Sequence, residues 1–578
     1  MKIQSIQLFN ERYRGLEHFE KKFPKHILLK GHVDPICLVG LNGSGKSNFL
    51  ELIADIFYDL EIYFLYEAEK KLYHTDSPKY FAYASRDQEP IYFDLKYKIN
   101  IYNQVTLKEE SKEIQITRRP PTGRVKKKPA PIFKVKVENK QQDNLFDDDS
   151  YTVISPDEAR NYLPLVVGYT SGLNDLISMP FIDLQDFYAQ QVANEAKAKA
   201  KKNKTPDSHK KAIESPNLLI LNYDSNAAIV VSNLLLANTQ KLKTIQETLR
   251  IERLNSFRII IRWNKLYTRR TLEVTDELQG YLDSLADCAV LKEITKESGD
   301  GEIHTLDFVF NEVTQGLFKD KFGTPQKLFE ALTKLNLLNT LCIQREQRNN
   351  LRKKREKGQL LRFPQIASLD KIFSIEKIEL VLKLSEERFV RTEYEKISDG
   401  EHQFIHIIGG ILLFDEKYPK RDIVYLLDEP DTHFNPIWRS DFFYQLEKIL
   451  INKDVEFIIT THSPFVLSDC HGYNVFKFIR EGDKVTFDRI KSETYGSTFE
   501  NVLDNVFQSD LKQDEHFKNQ MAKLSFNQIQ DLYIKINNSE TKEKLEVIMG
   551  EIRLLGESMD RLQLLKHYTD KENELSKI

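Results

Sequence analysis

Gly40-Leu41-Asn42-Gly43-Ser44-Gly45-Lys46-Ser47 follows the spacing GxxxxGK[ST]. Glycines at these intervals let the backbone curl until successive N–H groups face one centre, and a phosphate chain is the ligand such a centre takes. On this pattern Gly40, Asn42, Gly43, Ser44 and Gly45 form the cradle. Lys46 reaches the β- and γ-phosphates, and the Ser47 hydroxyl binds Mg²⁺. Two acids supply what a cradle lacks: Asp428 and Glu429 end the apolar run Ile423–Leu427. Asp428 is expected to hold Mg²⁺ through water, and Glu429 to orient and deprotonate an attacking water. His462, 33 positions beyond Glu429, follows the run Phe457–Thr461. A lone histidine is more often structural, but at the end of a third strand it can meet a γ-phosphate. Together these residues predict a site for ATP and Mg²⁺ whose chemistry is hydrolysis.

Such groups need strands to deliver them to one edge. Ile36–Val39 reads as a strand running into the glycines, and Asn48–Leu60 as the helix after them, whose N-terminal end adds its own positive field. Ile423–Leu427 and Val455–Thr460 read as buried strands, and ligands of open α/β sheets bind at the carboxyl ends of strands. Elsewhere Ile3–Leu8 alternates as a half-buried strand, 91–137 is β-like, and Gln141–Ser150 is an acidic loop. The block 217–360 reads as mostly helical. Alternation over Ile378–Leu382 leads to a helix near 400–414, and Val475–Ile490 reads as a strand pair. Beyond 510 the chain is helical, with Leu545, Ile548, Met549, Ile552, Leu555, Met559 and Leu562 at helix-face spacing. That stripe is core packing or a docking face. The expected organisation is an α/β head in its N-terminal part over 1–105 and a β-rich continuation over 106–195. A mainly helical insertion follows over 196–364, then the C-terminal part of the head over 365–505 and a helical extension over 506–578.

Composition narrows the class. The chain has 578 residues, and 84 basic against 87 acidic residues give a net charge of -3, so no global basic field advertises nucleic acid. With 30% charged residues and a mean hydropathy of -0.48, it is a charge-rich globular chain rather than a disordered or membrane-embedded one. Apolar runs such as Ile405–Phe414 fall short of the ~18–20 residues a membrane span needs. The N-terminus MKIQSIQLFN lacks an apolar signal core, which predicts a cytoplasmic location and no membrane partner. Cys37, Cys288, Cys342 and Cys470 lie far apart with no CxxC, against a cysteine zinc site and in keeping with a reducing compartment.

Ser398-Asp399-Gly400-Glu401-His402-Gln403 looks like the ABC signature sequence, a relative of SGGQ. With GLNGSGKS, YLLDEPDTHFNP and TTHSP, it makes the chain resemble ABC-type ATPase heads of the SMC, RecF and OLD lineage. Ile6–Asn10 followed by Arg14-Gly15 resembles that lineage's opening strand and "FRG" turn, with Tyr13 for Phe and a spacer before Arg14. The resemblance implies a P-loop head that works as a homodimer or higher oligomer. Ser398, Gly400, Glu401 and Gln403 of one protomer would then close in trans over the nucleotide of another. Asn435 stands where OLD-like patterns usually carry a His, and Trp438 reads as packing. A γ-phosphate-sensing glutamine is implied near 163–181. Gln185 and Gln190 lie close to that stretch, and neither stands out.

Lys46 and Ser398 are 352 positions apart, a far larger insertion than transporter cassettes carry. It shows neither a long heptad coiled coil nor a zinc hook, which favours compact, defence-associated relatives. Basic runs at Arg118–Lys128, Lys197–Lys211 and Arg345–Lys357 are candidate DNA or RNA contacts, foremost Arg352, Lys353, Lys354 and Arg355. Half the weight stays with solvated faces. The C-terminal helices lack a strand-borne DxD, so no nuclease is expected within the chain. By resemblance to restriction-system-associated AAA-family ATPases and PtuA-like ATPases of Septu-type defence, it would regulate a separately encoded nuclease. Two other readings stay open: a nucleotide-gated nucleic-acid-binding module with little turnover, and a RecF-like DNA-repair ATPase.

Overall fold

The computed structural model describes residues 1–23, 33–73, 90–103, 108–121, 129–136, 151–172, 217–263, 274–297, 301–343, 366–415, 422–450, 455–507, 523–553 and 559–576, with positions within 177–192 and 346–350 and residue 555. Among them the strands are β1 (Lys2–Tyr13), β2 (Leu16–Lys22), β3 (Ile36–Val39), β4 (Phe93–Asn103), β5 (Lys108–Arg118), β6 (Ile132–Lys136), β7 (Tyr151–Val153), β8 (Leu165–Thr170) and β9 (Leu218–Leu221). They continue with β10 (Ile251–Trp263), β11 (Leu291–Glu297), β12 (Gly301–Val309), β13 (Phe373–Ser385), β14 (Arg388–Glu393), β15 (Ile423–Asp428), β16 (Glu456–Thr460), β17 (Val475–Glu481) and β18 (Lys484–Arg489).

Thirteen of them form one sheet in the order β7-β6-β5-β4-β1-β2-β18-β17-β3-β16-β15-β8-β9. From β17 to β9 every pairing is parallel. β3, β15 and β16 are buried at every position, as strands covered on both faces must be. The other end, β7 to β2, is antiparallel. Register fixes the functional edge: Asp428 lies opposite Thr170 of β8 and Thr460 of β16, and Thr460 opposite Leu38 of β3. The loop after β3 and the ends of β15 and β16 therefore open on one side.

Helix α1 (Lys46–Tyr73) joins the two halves. Three of its acids, at i, i+4 and i+8, face the antiparallel strands, one above another as helix geometry requires. Glu51 meets the Arg14 guanidinium at 2.6 Å, Asp55 accepts from the Tyr13 hydroxyl at 2.8 Å, and Asp59 meets Arg118 at 2.9 Å. Burial, with Asp55 nearby, pushes the Glu51 carboxyl up to about 8. Arg14-Gly15 is the two-residue turn of the β1–β2 hairpin, with Tyr13 opposite Leu16. Positive φ at both central residues (46° and 92°) is what such a turn needs. Arg118, first in a basic run expected to meet nucleic acid or solvent, is instead fully buried at the end of β5. The basic run hid the last residue of a strand.

A second sheet has the order β11-β12-β10-β13-β14. Residues between 217 and 343 contain helices at Tyr223–Leu236 (α2), Thr239–Leu249, Asp276–Cys288, Glu312–Phe322 and Pro325–Asn336. Each starts at a side-chain cap, from Asn222, Asn238, Thr275, Asn311 and Thr324 respectively. Helix thus predominates, yet four strands, β9 to β12, lie here that the periodicity does not announce. The hydrogen-bond ladders also cut the chain elsewhere than expected. β9, beyond 196, completes the large sheet, whereas β13 and β14, beyond 365, belong to the second.

The chain divides into compact units Met1–Gly496 and Ser497–Ile578. The second has helices Lys523–Asn537, Lys542–Arg553 and Met559–Leu575 around Ile529, Leu532, Ile536, Leu545, Ile548, Ile552, Leu564 and Tyr568. Five members of the C-terminal stripe pack in or against this core, including Met549 and Leu555, while Leu562 is exposed. Among the described residues no helix is long and apolar enough to cross a membrane. The Cys37 and Cys470 thiols, remote in sequence, lie 2.9 Å apart in the core.

Candidate functional site

The glycine-rich loop between β3 and α1 has φ of 146°, 78° and 101° at Gly40, Gly43 and Gly45, angles at which L side chains are strained. The β17–β18 hairpin braces this loop from outside. A Cβ on Gly40 would stand 2.5 Å from Phe478 O, and one on Gly45 2.8 Å from Val485 Cγ1. Arg480 Nη1 donates to Gly43 O at 3.2 Å. These contacts, absent from the motif, are why the hairpin belongs to the site. The Ser44 hydroxyl is buried without a hydrogen-bond partner among the described residues. Such an atom fits a loop shaped for an oxygen-rich ligand.

Lys46 Nζ donates to Gly40 O (3.1 Å) and Leu41 O (3.3 Å) and lies 2.8 Å from His462 Nε2. Its burial lowers the ammonium pKa, and Glu429 and Asp428 oppose that shift. The Ser47 hydroxyl donates to Asp428 Oδ1 at 2.9 Å, and Thr460 Oγ1 donates to the same oxygen at 2.7 Å. A carboxylate and an alcohol held together in this way are hard oxygen donors of the kind Mg²⁺ takes. Glu429 sits at φ 51°, a strained backbone that its surroundings must impose. Its N–H is shared between Thr460 Oγ1 (2.9 Å) and Thr460 O (3.1 Å). Thr460 therefore orients both acids, a role the sequence pattern does not reveal.

His462 Nε2 is also 3.2 Å from Glu429 Oε1. The histidine hydrogen bond holds the Glu429 carboxyl below the usual range, partly offset by burial. One ring nitrogen cannot accept from Lys46 and donate to Glu429 at once, so its proton decides which partner it serves. Farther along, Thr461 Oγ1 donates to Asp431 at 3.0 Å, and burial raises the Asp431 carboxyl.

Ser398 caps the helix Asp399–Phe404 (α3), and Glu401 completes a capping box by accepting from Ser398 N at 2.8 Å. Ser398 is exposed, so the N-terminal end of α3 faces outward. Gln403 does not: it is 4% exposed. Its amide donates to Tyr169 OH at 3.0 Å and accepts from His433 N at 2.8 Å. Gly400 packs on the same segment, where a Cβ would meet His433 O at 2.8 Å. After α3 the helix widens into a π turn, Ile405–Gly409, then resumes over Gly410–Phe414. Asn233 of α2 donates to Gly409 O at 2.9 Å, satisfying a carbonyl at the π turn. Asn435 caps the helix Pro436–Ser440 by accepting from Trp438 N, and Trp438 packs on Phe404 and Phe434.

The structure thus forms two contact groups at one sheet edge, Lys46–His462–Glu429 and Ser47–Asp428, with Thr460 bonded to both acids, next to the loop that carries Gly40, Asn42, Gly43, Ser44 and Gly45. It keeps Ser398, Gly400, Glu401 and Gln403 on a separate helix. Gln185 is half-buried. Gln190 lies outside the described residues, as do Arg352, Lys353, Lys354, Arg355 and the Lys197–Lys211 run.

A family model described as AAA ATPase domain matches residues 1–467. The chain is 32% identical over 85 residues to the retron Ec83 probable ATPase of Escherichia coli, which covers 15% of each protein. It is 25% identical over 149 residues to protein ea59 of Escherichia phage lambda, 25% of this chain and 28% of that one. The chain therefore spans under a third of the length of the curated relatives it matches. Among solved structures, the SmcHead bound to the C-winged helix domain of ScpA aligns over 85% of this chain and 98% of that one, at 13% identity and a TM-score of 0.28.

Proposed function

The chain belongs to the AAA ATPase domain family, and from that premise we propose that it binds and hydrolyses ATP with Mg²⁺ as the regulatory subunit of a defence system that employs a separate nuclease. The observation that carries the ATPase reading is the convergence at one sheet edge of two contact groups, Lys46–His462–Glu429 and Ser47–Asp428, joined through Thr460. In this reading the loop N–H groups and Lys46 bind the phosphates, and Ser47 and Asp428 would hold Mg²⁺. The ion, when bound, neutralises charge on the β- and γ-phosphates. Glu429 takes the proton of the attacking water, favoured by a carboxyl kept ionised at neutral pH. His462 holds Glu429 in place before nucleotide enters and meets the γ-phosphate afterwards.

Two copies would close head to tail, each presenting Ser398 and Gly400 to the other's nucleotide. The outward-facing cap of α3 supports this, since it lies on a helix apart from its own chain's phosphate loop. The likeness to a retron ATPase supports the defence setting. A nucleic-acid contact through Arg352–Arg355 is part of the same proposal.

The test is steady-state hydrolysis by the purified chain with Mg²⁺. Wild type should turn over, and Glu429→Gln should bind ATP but lose turnover by about 10²–10⁴-fold. Stoichiometric binding with no wild-type turnover would favour a nucleotide-gated binding module instead.

A further inference from the structure

We propose that Gln403 is a positioning residue that passes the seating of a second copy on α3 to Glu429 of its own chain. The inference rests on the ATP-hydrolysing dimer proposed above and deepens it. Family resemblance puts this glutamine on the nucleotide of the partner. Its burial and its two contacts put it to work inside its own chain.

Two signature residues grip the backbone of one residue, His433, from its two sides. Gln403 Oε1 accepts the His433 N–H at 2.8 Å, and Gly400 lies so close beneath His433 O that a methyl there would stand 2.8 Å away. Tyr169 OH, near the end of β8, accepts from the amide nitrogen, and the donor-only His433 N–H fixes the oxygen as the atom that faces it. Between His433 and Glu429, side chains hold three backbone carbonyls. Thr432 Oγ1 donates to Glu429 O at 2.9 Å, Arg439 Nη2 to Thr432 O at 2.9 Å, and Arg439 Nε to Asp431 O at 3.1 Å.

Glu429 itself holds a left-handed backbone that relaxes unless neighbours enforce it. A load applied at the exposed Ser398 end of α3 therefore reaches Glu429 through a short, stiff path that Gln403 enters by a hydrogen bond, beside the ring contact of Phe404 with Phe434. Removing that hydrogen bond frees the 429–433 turn without touching a phosphate-facing atom. Displacing a reacting group by about 1 Å costs about 10²-fold in rate.

The experiment compares wild type, Gln403→Leu and Gln403→Glu by nucleotide affinity, ATP-driven self-association, turnover, and amide hydrogen exchange over 429–434. Glutamate keeps the shape and still accepts from His433 N–H, whereas leucine keeps neither bond. Gln403→Leu should bind nucleotide within about threefold of wild type and self-associate equally, while turnover falls about 10²-fold. Gln403→Glu should recover most of it. ATP should slow exchange over 429–434 in wild type and in Gln403→Glu, but not in Gln403→Leu at equal dimer fraction. Equal slowing in Gln403→Leu overturns the proposal whether or not the chain hydrolyses ATP. So does loss of affinity and turnover in step with thermal stability in both variants. Wild type that associates with ATP and slows its exchange but shows no hydrolysis sinks the functional reading alone.

Discussion

Ser47 and Asp428 share a 2.9 Å hydrogen bond across 381 positions of chain, the hydroxyl donating to Oδ1. Removing the charge while keeping an acceptor, as in Asp428→Asn, leaves that bond and withdraws the ligand a divalent cation prefers. Nucleotide affinity measured with Mg²⁺ should then fall to the value in chelator, a change of about tenfold or more on the scale of one charged ligand. A fluorescent-nucleotide titration reads it. An Mg²⁺ effect as large in Asp428→Asn as in wild type counts against Asp428 as the metal's residue.

The His462–Glu429 contact makes a prediction about pH. Glu429 must be ionised to act as base, and His462 holds its carboxyl below the ordinary range. His462→Ala removes the largest cause of that shift. The acid limb of the turnover–pH profile should move to higher pH, while maximal turnover drops by about 10²-fold. An acid limb that stays put would mean another group sets it.

Arg118 and Asp59 form a buried pair at 2.9 Å. Taking away one partner strands a charge, which typically costs about 3–5 kcal/mol, whereas replacing both with apolar residues of like volume costs less. Arg118→Met should therefore lower stability in denaturant unfolding far more than Arg118→Met combined with Asp59→Leu. Equal losses would show that packing rather than charge decides there.

Glu51 titrates high in the fold, at about 8, against 4.5 in the unfolded chain. The native state then holds a proton that the unfolded state has shed between those values, so stability declines as pH rises through that window. The slope from this one group is at most about 1.4 kcal/mol per pH unit. Glu51→Gln has nothing to titrate, and its thermal midpoint should change less between pH 6 and 8 than that of wild type. Parallel pH curves would refute the assignment.

The residues that could touch phosphate were legible because their chemistry fixes their spacing. A curled loop needs its glycines in order, and Asp428 and His462 follow apolar runs that read as strands. Thr460 was hidden because a threonine in TTHSP reads as strand, and its bonds to both acids arise from register with β15. The setting of Gln403 was not legible for a related reason: the helix that carries it has two faces, and motif resemblance does not say which one a side chain takes. β10 to β12 escaped notice because charged residues break their alternation, as in LKEITKE of β11. Arg118 looked solvated because the residues after it are basic, while the strand that carries it points it at α1.

The strand that leads into the glycine-rich loop has sheet neighbours remote from it in sequence. β3 ends at Val39, and its partners β16 and β17 begin at Glu456 and Val475. β1, β2 and β4 pair within the first 103 residues. As the chain leaves the ribosome, the antiparallel lobe can assemble early, but β3 lacks its sheet neighbours until residues beyond 455 have been made. Ribosome-stalled chains ending near residue 450 should accordingly fail to retain ATP, and the unfinished β3 is where a holding chaperone would be needed.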